Sequence, residues 1–170
     1  GQPTPGQVRR WQRKHGIKTV INLRGQHRYA TYRQEVAACA TLGLNHIDFP
    51  LDSRDAPQKD RLIRLLDMAE SLDYPVLAHC KSGADRAGLF AAVFLHAVDH
   101  RPIAEAQRQL SLRFGHWRQS KTGILDFFLE RYAQETGGKD FRQWVENDYG
   151  PAGLKADFMG QWWANILVDR

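Results

Sequence analysis

A cysteine and an arginine with five residues between them, Cys80 and Arg86, stand in the stretch His79-Cys80-Lys81-Ser82-Gly83-Ala84-Asp85-Arg86-Ala87-Gly88. A loop curled around an anion places the sulfur beneath it and the guanidinium beside it, where the planar fork matches phosphate oxygens. Backbone N–H groups in such a loop, and at the start of a following helix, are unpaired donors at the positive end of a dipole. The same donors stabilise a thiolate and lower its pKa. A thiolate facing a bound phosphoryl group is a nucleophile in place. The pattern therefore points to attack on phosphorus by Cys80. Arg86 would hold the equatorial oxygens, together with the loop His79, Lys81, Ser82, Gly83, Ala84 and Asp85. Gly83 and Gly88 are followed by Ala84 and Leu89, so this is not the Lys-Ser/Thr nucleotide loop. No ATP, metal or other cofactor is expected.

Such a loop needs a strand to deliver it and a helix to close it. Pro75-Val76-Leu77-Ala78 reads as a short buried strand, and Leu89 to Leu95 is apolar on every face, as in a central buried helix. Further strands are expected near 17–23 and 44–51. Helices are expected over about 5–15, from Tyr29 to Leu42, and from Pro57 to Leu72 with Leu62, Leu65, Leu66, Ala69 and Leu72 on one face. In the helix from Tyr29, the positions Tyr32, Val36, Cys39 and Ala40 recur at helical spacing, which makes Cys39 a small core residue or, alternatively, a resolving thiol for Cys80. Strands alternating with helices predict an α/β fold with a small, largely parallel sheet covered on both sides. Sites in such sheets lie beyond the carboxyl ends of the strands, where Cys80 and the turn after Leu51 both fall.

The loop resembles the His-Cys-x5-Arg catalytic loop of the cysteine-based protein tyrosine and dual-specificity phosphatases. The stretch Gly16-Ile17-Lys18-Thr19-Val20-Ile21-Asn22-Leu23-Arg24-Gly25 is similar to the first recognisable strand of bacterial dual-specificity-like members. The resemblance covers about residues 16 to 130. It implies a cysteinyl-phosphate intermediate, and a general acid on the loop Asp52-Ser53-Arg54-Asp55-Ala56-Pro57. Asp52 follows the strand directly and is preferred; Asp55 is the alternative and also suits a helix cap. Asp48, inside the strand, is a weaker candidate. His79 would orient the loop and tune the thiol. Family members usually carry Ser or Thr after the loop Arg, where the hydroxyl helps the sulfur leave. This chain has Ala87, which implies slow hydrolysis of the phosphoenzyme. Lys81 resembles the His-Cys-Lys opening of lipid phosphatases related to tensin, whereas Asp85 replaces an uncharged residue there. Arg24, Arg28, Arg54 and Lys121 could add charge at the mouth. The expected substrate is a phosphotyrosine or other phosphoprotein, or a phosphoinositide or phospholipid headgroup. A second reading is a phosphate-ester binding pseudo-phosphatase with little turnover; rhodanese-type sulfur transfer is a distant third.

At 170 residues the chain is expected to be one phosphatase-like domain, 1–170, with a core over about 16–130 and a helical extension over about 138–170. Helices are expected near 102–113, 121–135 and 140–148, and from Pro151. In the last segment Leu154, Phe158, Trp162 and Ile166 fall four apart, with Met159, Trp163 and Leu167 beside them. This stripe either packs onto the domain or meets another chain or a bilayer surface. Two cysteines make no disulfide framework, so a reducing, cytoplasmic setting, or the cytoplasmic face of a membrane, is expected. The formal charge of +5 favours acidic partners, but no Lys/Arg run reaches five and nucleic acid is not expected. No run is long and apolar enough for a membrane span, and none reads as a signal peptide. The opening Gly1-Gln2-Pro3 lacks Met and reads as a cut or processed start. The spacing carries no signal for oligomeric state.

Overall fold

A computed structural model describes the backbone of residues 1–168 and the side chains of residues 1–164. Helix α1 (Pro5–His15) is opened by a reciprocal cap between Thr4 and Gln7, has Pro at its first position, and is closed by Gly16 in the left-handed region, φ 63°. Strand β1 (Thr19–Asn22) follows, then α2 (Ala30–Thr41), β2 (Asn45–Asp48), α3 (Lys59–Ser71) and β3 (Val76–His79). Helix α4 (Asp85–Val93) runs into a π-helical turn, Phe94–Val98. The short α5 (Ile103–Ala106), α6 (Ile124–Glu135), α7 (Phe141–Asn147) and α8 (Pro151–Val168) complete the chain. The architecture is α/β, as the alternation of apolar runs predicts.

The three strands form a parallel sheet in the order β2-β1-β3. Successive residues of the central strand serve opposite faces. Val20 joins Val8, Ile17, Cys39 and Leu44 under α1 and α2. Ile21 joins the larger core with Leu62, Leu65, Leu89, Phe128 and Trp144. Asn22, at the end of β1, is in register with Asp48 of β2 and His79 of β3. The three carboxyl ends therefore lie side by side, and all loops that leave them converge over one edge of the sheet.

The strands are shorter than the apolar runs. After Asp48 the chain leaves the sheet, although Phe49 N–H still donates to the Asn22 carbonyl (3.0 Å) and Leu51 N–H to that of Leu23 (3.1 Å). The helix expected over 102–113 is a correction. It is α-helical only to Ala106 and turns out at Leu110, because the Gln109 carbonyl and the Leu110 side chain come down on Gly88. A Cβ at Gly88 would meet them at 2.9 and 2.8 Å, so only glycine allows this approach. On α2 the fully buried residues are Glu35 and Cys39, while Ala40 is exposed, contrary to the helical spacing read from the sequence. On α8, Leu154 and Phe158 are buried in the main core, Met159 and Trp162 are partly covered, and Trp163 is 55% exposed. The side chains of Ile166 and Leu167 lie outside the described residues. Among the described residues, no helix is long and apolar enough to cross a membrane.

Candidate active site

Residues 80–84 form a loop between β3 and α4, with Cys80 1% exposed at its base. Gly83 adopts φ 85°, a conformation that lets the loop fold back over the sulfur. Its N–H donates to Cys80 Sγ at 3.2 Å. Burial raises the thiol pKa, but the N–H groups of Ala87, Gly83 and Ser82 and the charge of Arg86 outweigh it, and the pKa is lowered overall. Cys39 behaves oppositely: burial, then the nearby Glu35 charge, push its pKa to about 11. Cys39 also belongs to the core on the α1/α2 side of the sheet, whereas Cys80 belongs to the other. It is a core residue, and nothing in its surroundings marks a resolving thiol.

Arg86 and Asp52 line a common cleft of about 360 Å³ with Arg24, Asp60, Arg61 and the apolar Leu51 and Leu89. Among the described residues, no aromatic side chain lines it. Asp55 is turned away: its carboxylate pairs with Lys155 at 2.9 Å and accepts from the Ala56 N–H at 2.8 Å. The Lys155 hydrogen bond, above all, holds the Asp55 carboxyl below its ordinary pKa. Asp48 is occupied, accepting from Asn22 Nδ2 at 2.8 Å and from the Tyr32 hydroxyl at 2.5 Å. Arg24 is carried into the cleft by the turn after β1, where Asn22 Oδ1 accepts from Arg24 N–H at 3.0 Å and Asn22 Nδ2 donates to the Gly25 carbonyl at 2.8 Å. Arg28 and Arg54 are solvent-exposed, and Lys121 stands over the Trp162 ring, 5.9 Å from its centre. A larger cleft, about 580 Å³ between the π-helical turn and α7, has no lining residue from the 79–88 loop.

Two buried charge clusters hold the loop, and neither is visible as a motif. Beneath His79, the fully buried Glu35 carboxylate accepts from His79 Nε2 at 2.9 Å and from His46 Nε2 at 2.8 Å. Burial opposes its ionisation, but the hydrogen bonds from His46 and His79 and their charges prevail, so the carboxyl is held below its ordinary pKa. Gln2 extends this cluster, donating to Glu35 and accepting from Arg24 at 2.6 Å. At the other end of the loop, Asp85 directs Oδ1 to His116 Nδ1 at 2.8 Å, and His116 Nε2 reaches Asp126 Oδ2 at 2.6 Å. His116 is 1% exposed. Because carboxylates only accept, both ring nitrogens carry protons and the ring is cationic. Burial lowers its pKa, but hydrogen bonds to Asp126 and Asp85 outweigh that and raise it. Glu35 does fall in helical register with Cys39, four residues on, and that was the one available signal.

Lys81 and Ser82 are exposed, Gly83 and Asp85 to Ala87 are half-buried, and Ala84 is buried. Among curated proteins no sequence matches the chain. Solved structures share the fold: TpbA of P. aeruginosa at 19% identity, TM-score 0.59, covering 91% of this chain and 81% of that one. PTPMT1 is similar at 18% identity and TM-score 0.54, covering 79% and 89%, as is Tk-PTP at 18% and 0.54, covering 78% and 88%. A family profile described as DSP-PTPase phosphatase fused to NAD+ kinase matches residues 1–123. With its Cys-x5-Arg loop at the carboxyl edge of a parallel sheet and that profile over most of its length, the chain belongs to this family of dual-specificity-type phosphatase domains.

Proposed function

We propose that the protein hydrolyses phosphomonoesters through a cysteinyl-phosphate on Cys80. The observation that carries this reading is the Cys80 thiol buried at the base of the loop, where the Gly83 N–H donates to Sγ at 3.2 Å and, with the Ser82 and Ala87 N–H groups and the Arg86 charge, lowers its pKa. An inert core cysteine would be pushed the other way, as Cys39 is. In the first half-reaction the thiolate attacks phosphorus, the P–O bond to the leaving group breaks, and Asp52 gives that oxygen its proton. In the second, water attacks phosphorus, the S–P bond breaks, the thiolate is restored and Asp52 takes up the water proton. Arg86 and the loop N–H groups hold the equatorial oxygens as charge builds on them. Asp52 is favoured over Asp55 because it shares the cleft of Arg86, while Asp55 is spent on Lys155.

The substrate is a phosphoprotein or an anionic phospholipid or inositol phosphate headgroup. TpbA has been crystallised with pTyr and PTPMT1 with PI(5)P. A cleft lined by Arg24, Arg61 and Arg86 and by no aromatic ring suits a highly charged headgroup better than a phenyl ester. Ala87 in place of a hydroxyl residue favours a second reading, a phosphate-ester binding protein with little turnover. Phosphate release from phosphotyrosine peptide, phosphoserine peptide, phosphoinositides and phosphatidylglycerophosphate, with Cys80→Ser alongside, tests both. Release abolished in Cys80→Ser is the expected result. Binding that depends on Arg86 without any release would establish the second reading.

A further inference from the structure

Six large apolar side chains are exposed among the described residues, and three of them, Leu112 (68%), Phe114 (45%) and Trp117 (59%), fall within six consecutive positions. The segment around them, residues 107–125, contains Arg108, Arg113, Arg118 and Lys121 and no Asp or Glu. It is not a loose tail. Short 3-10 turns at Leu112–Phe114 and Lys121–Gly123 shape it, and His116, between the exposed side chains, is pinned inward by Asp85 and Asp126. It also stands against the catalytic loop, since a Cβ at Gly115 would lie 3.9 Å from Ala84 Cβ. Lys121 connects it to α8 through the Trp162 ring, and Trp162 packs edge-on against the exposed Trp163. Arg118 is held at the base by Glu130 (2.6 Å).

We propose that residues 111–121 dock the protein onto an anionic bilayer, with Leu112, Phe114 and Trp117 entering the acyl boundary and Arg113 and Lys121 lying among the headgroups. The shape favours a bilayer over a folded partner, because these exposed side chains are carried on a short 3-10 turn and the positions just after it. The charge favours anionic lipid, because aliphatic and aromatic tips interleaved with cations and free of acids are complementary to a negatively charged interface. Docked in this way, the catalytic loop beside Gly115 faces phosphomonoester headgroups; this consequence, and only this, rests on the phosphatase reading.

Flotation with vesicles of phosphatidylcholine alone, and with about one-third phosphatidylglycerol, tests the proposal at near-physiological salt. Wild type is expected to float with the anionic vesicles and not with the neutral ones. The triple variant Leu112→Ser, Phe114→Ser, Trp117→Ser is expected to lose about tenfold or more in partitioning. Its thermal melt and its rate on soluble p-nitrophenyl phosphate should match wild type, because the three side chains are exposed and touch nothing in the cleft. Trp117→Phe should remove part of the fluorescence quenching caused by brominated acyl chains. Absence of wild-type flotation, or equal flotation by the triple variant, would overturn the proposal. So would a triple variant impaired only on phosphopeptides, which would assign the surface to a protein partner. Flotation needs no turnover, so a protein that floats but releases no phosphate would refute the catalytic reading alone.

Discussion

Replacing His116 with Leu removes the cation that ties the catalytic loop to α6. His116 is buried, and its two N–H groups meet Asp85 and Asp126 at 2.8 and 2.6 Å. Removing one partner from a buried ion pair costs about 3–5 kcal/mol. The carboxylates left behind are 24% and 11% exposed, so water recovers part of that, and the lower end, about 3 kcal/mol, is expected. For a domain of this size the loss lowers the melting temperature by roughly 6–12 °C. The pH dependence follows from the raised pKa of His116. Its stabilisation is complete below the unfolded imidazole value of about 6.5 and is lost as pH rises through the raised folded value. Urea unfolding of wild type and His116→Leu from about pH 6 to pH 9 should therefore show a gap that is widest at the acid end and narrows with increasing pH. A gap under about 1 kcal/mol, or one that holds constant or widens toward alkaline pH, would refute a buried imidazolium.

Glu35→Gln should cost about 2 kcal/mol at neutral pH, the range for hydrogen bonds to a charged group. Its wild-type pKa is depressed, so this contribution is present above the ordinary carboxylate range and fades as pH falls through the lower folded value, which urea midpoints at neutral and acid pH would reveal. Asp52→Asn should lower kcat on an alkyl phosphate by roughly 10²-fold or more, and far less on p-nitrophenyl phosphate, whose leaving group needs no proton. Asp55→Asn should leave both rates within about twofold, and the opposite pattern in steady-state assays would exchange the two roles. Ala87→Ser should speed hydrolysis of the phosphoenzyme. Rapid-quench kinetics should show a burst in wild type that shrinks in the variant, and an equally fast second step in both would contradict this.

The loop from His79 to Gly88 was legible because its chemistry is local. Strand, Cys80, turn glycine, Arg86 and buried helix are contiguous, and an anion-binding loop needs only backbone N–H groups and a few nearby side chains. The alternation of apolar runs likewise carried the parallel α/β architecture, since each run must bury itself whatever its partners are. The different surroundings of Asp52 and Asp55 were not legible. They depend on Lys155, a hundred positions away on α8, which engages Asp55, whereas Asp52 lines the cleft with Arg86. Nor could the sequence reveal that Glu35 supports His79 across 44 positions, or that His116 grips Asp85 across 31. A charged residue on a helix or in a turn reads as solvated by default. A buried ion pair is stable only when folding brings both partners and their remaining hydrogen bonds together, and no periodicity encodes that meeting. The sequence alone therefore determined the Cys-x5-Arg loop and the sheet that carries it. The tertiary structure decided which distant charges hold that loop in place and which carboxylate shares a cleft with Arg86.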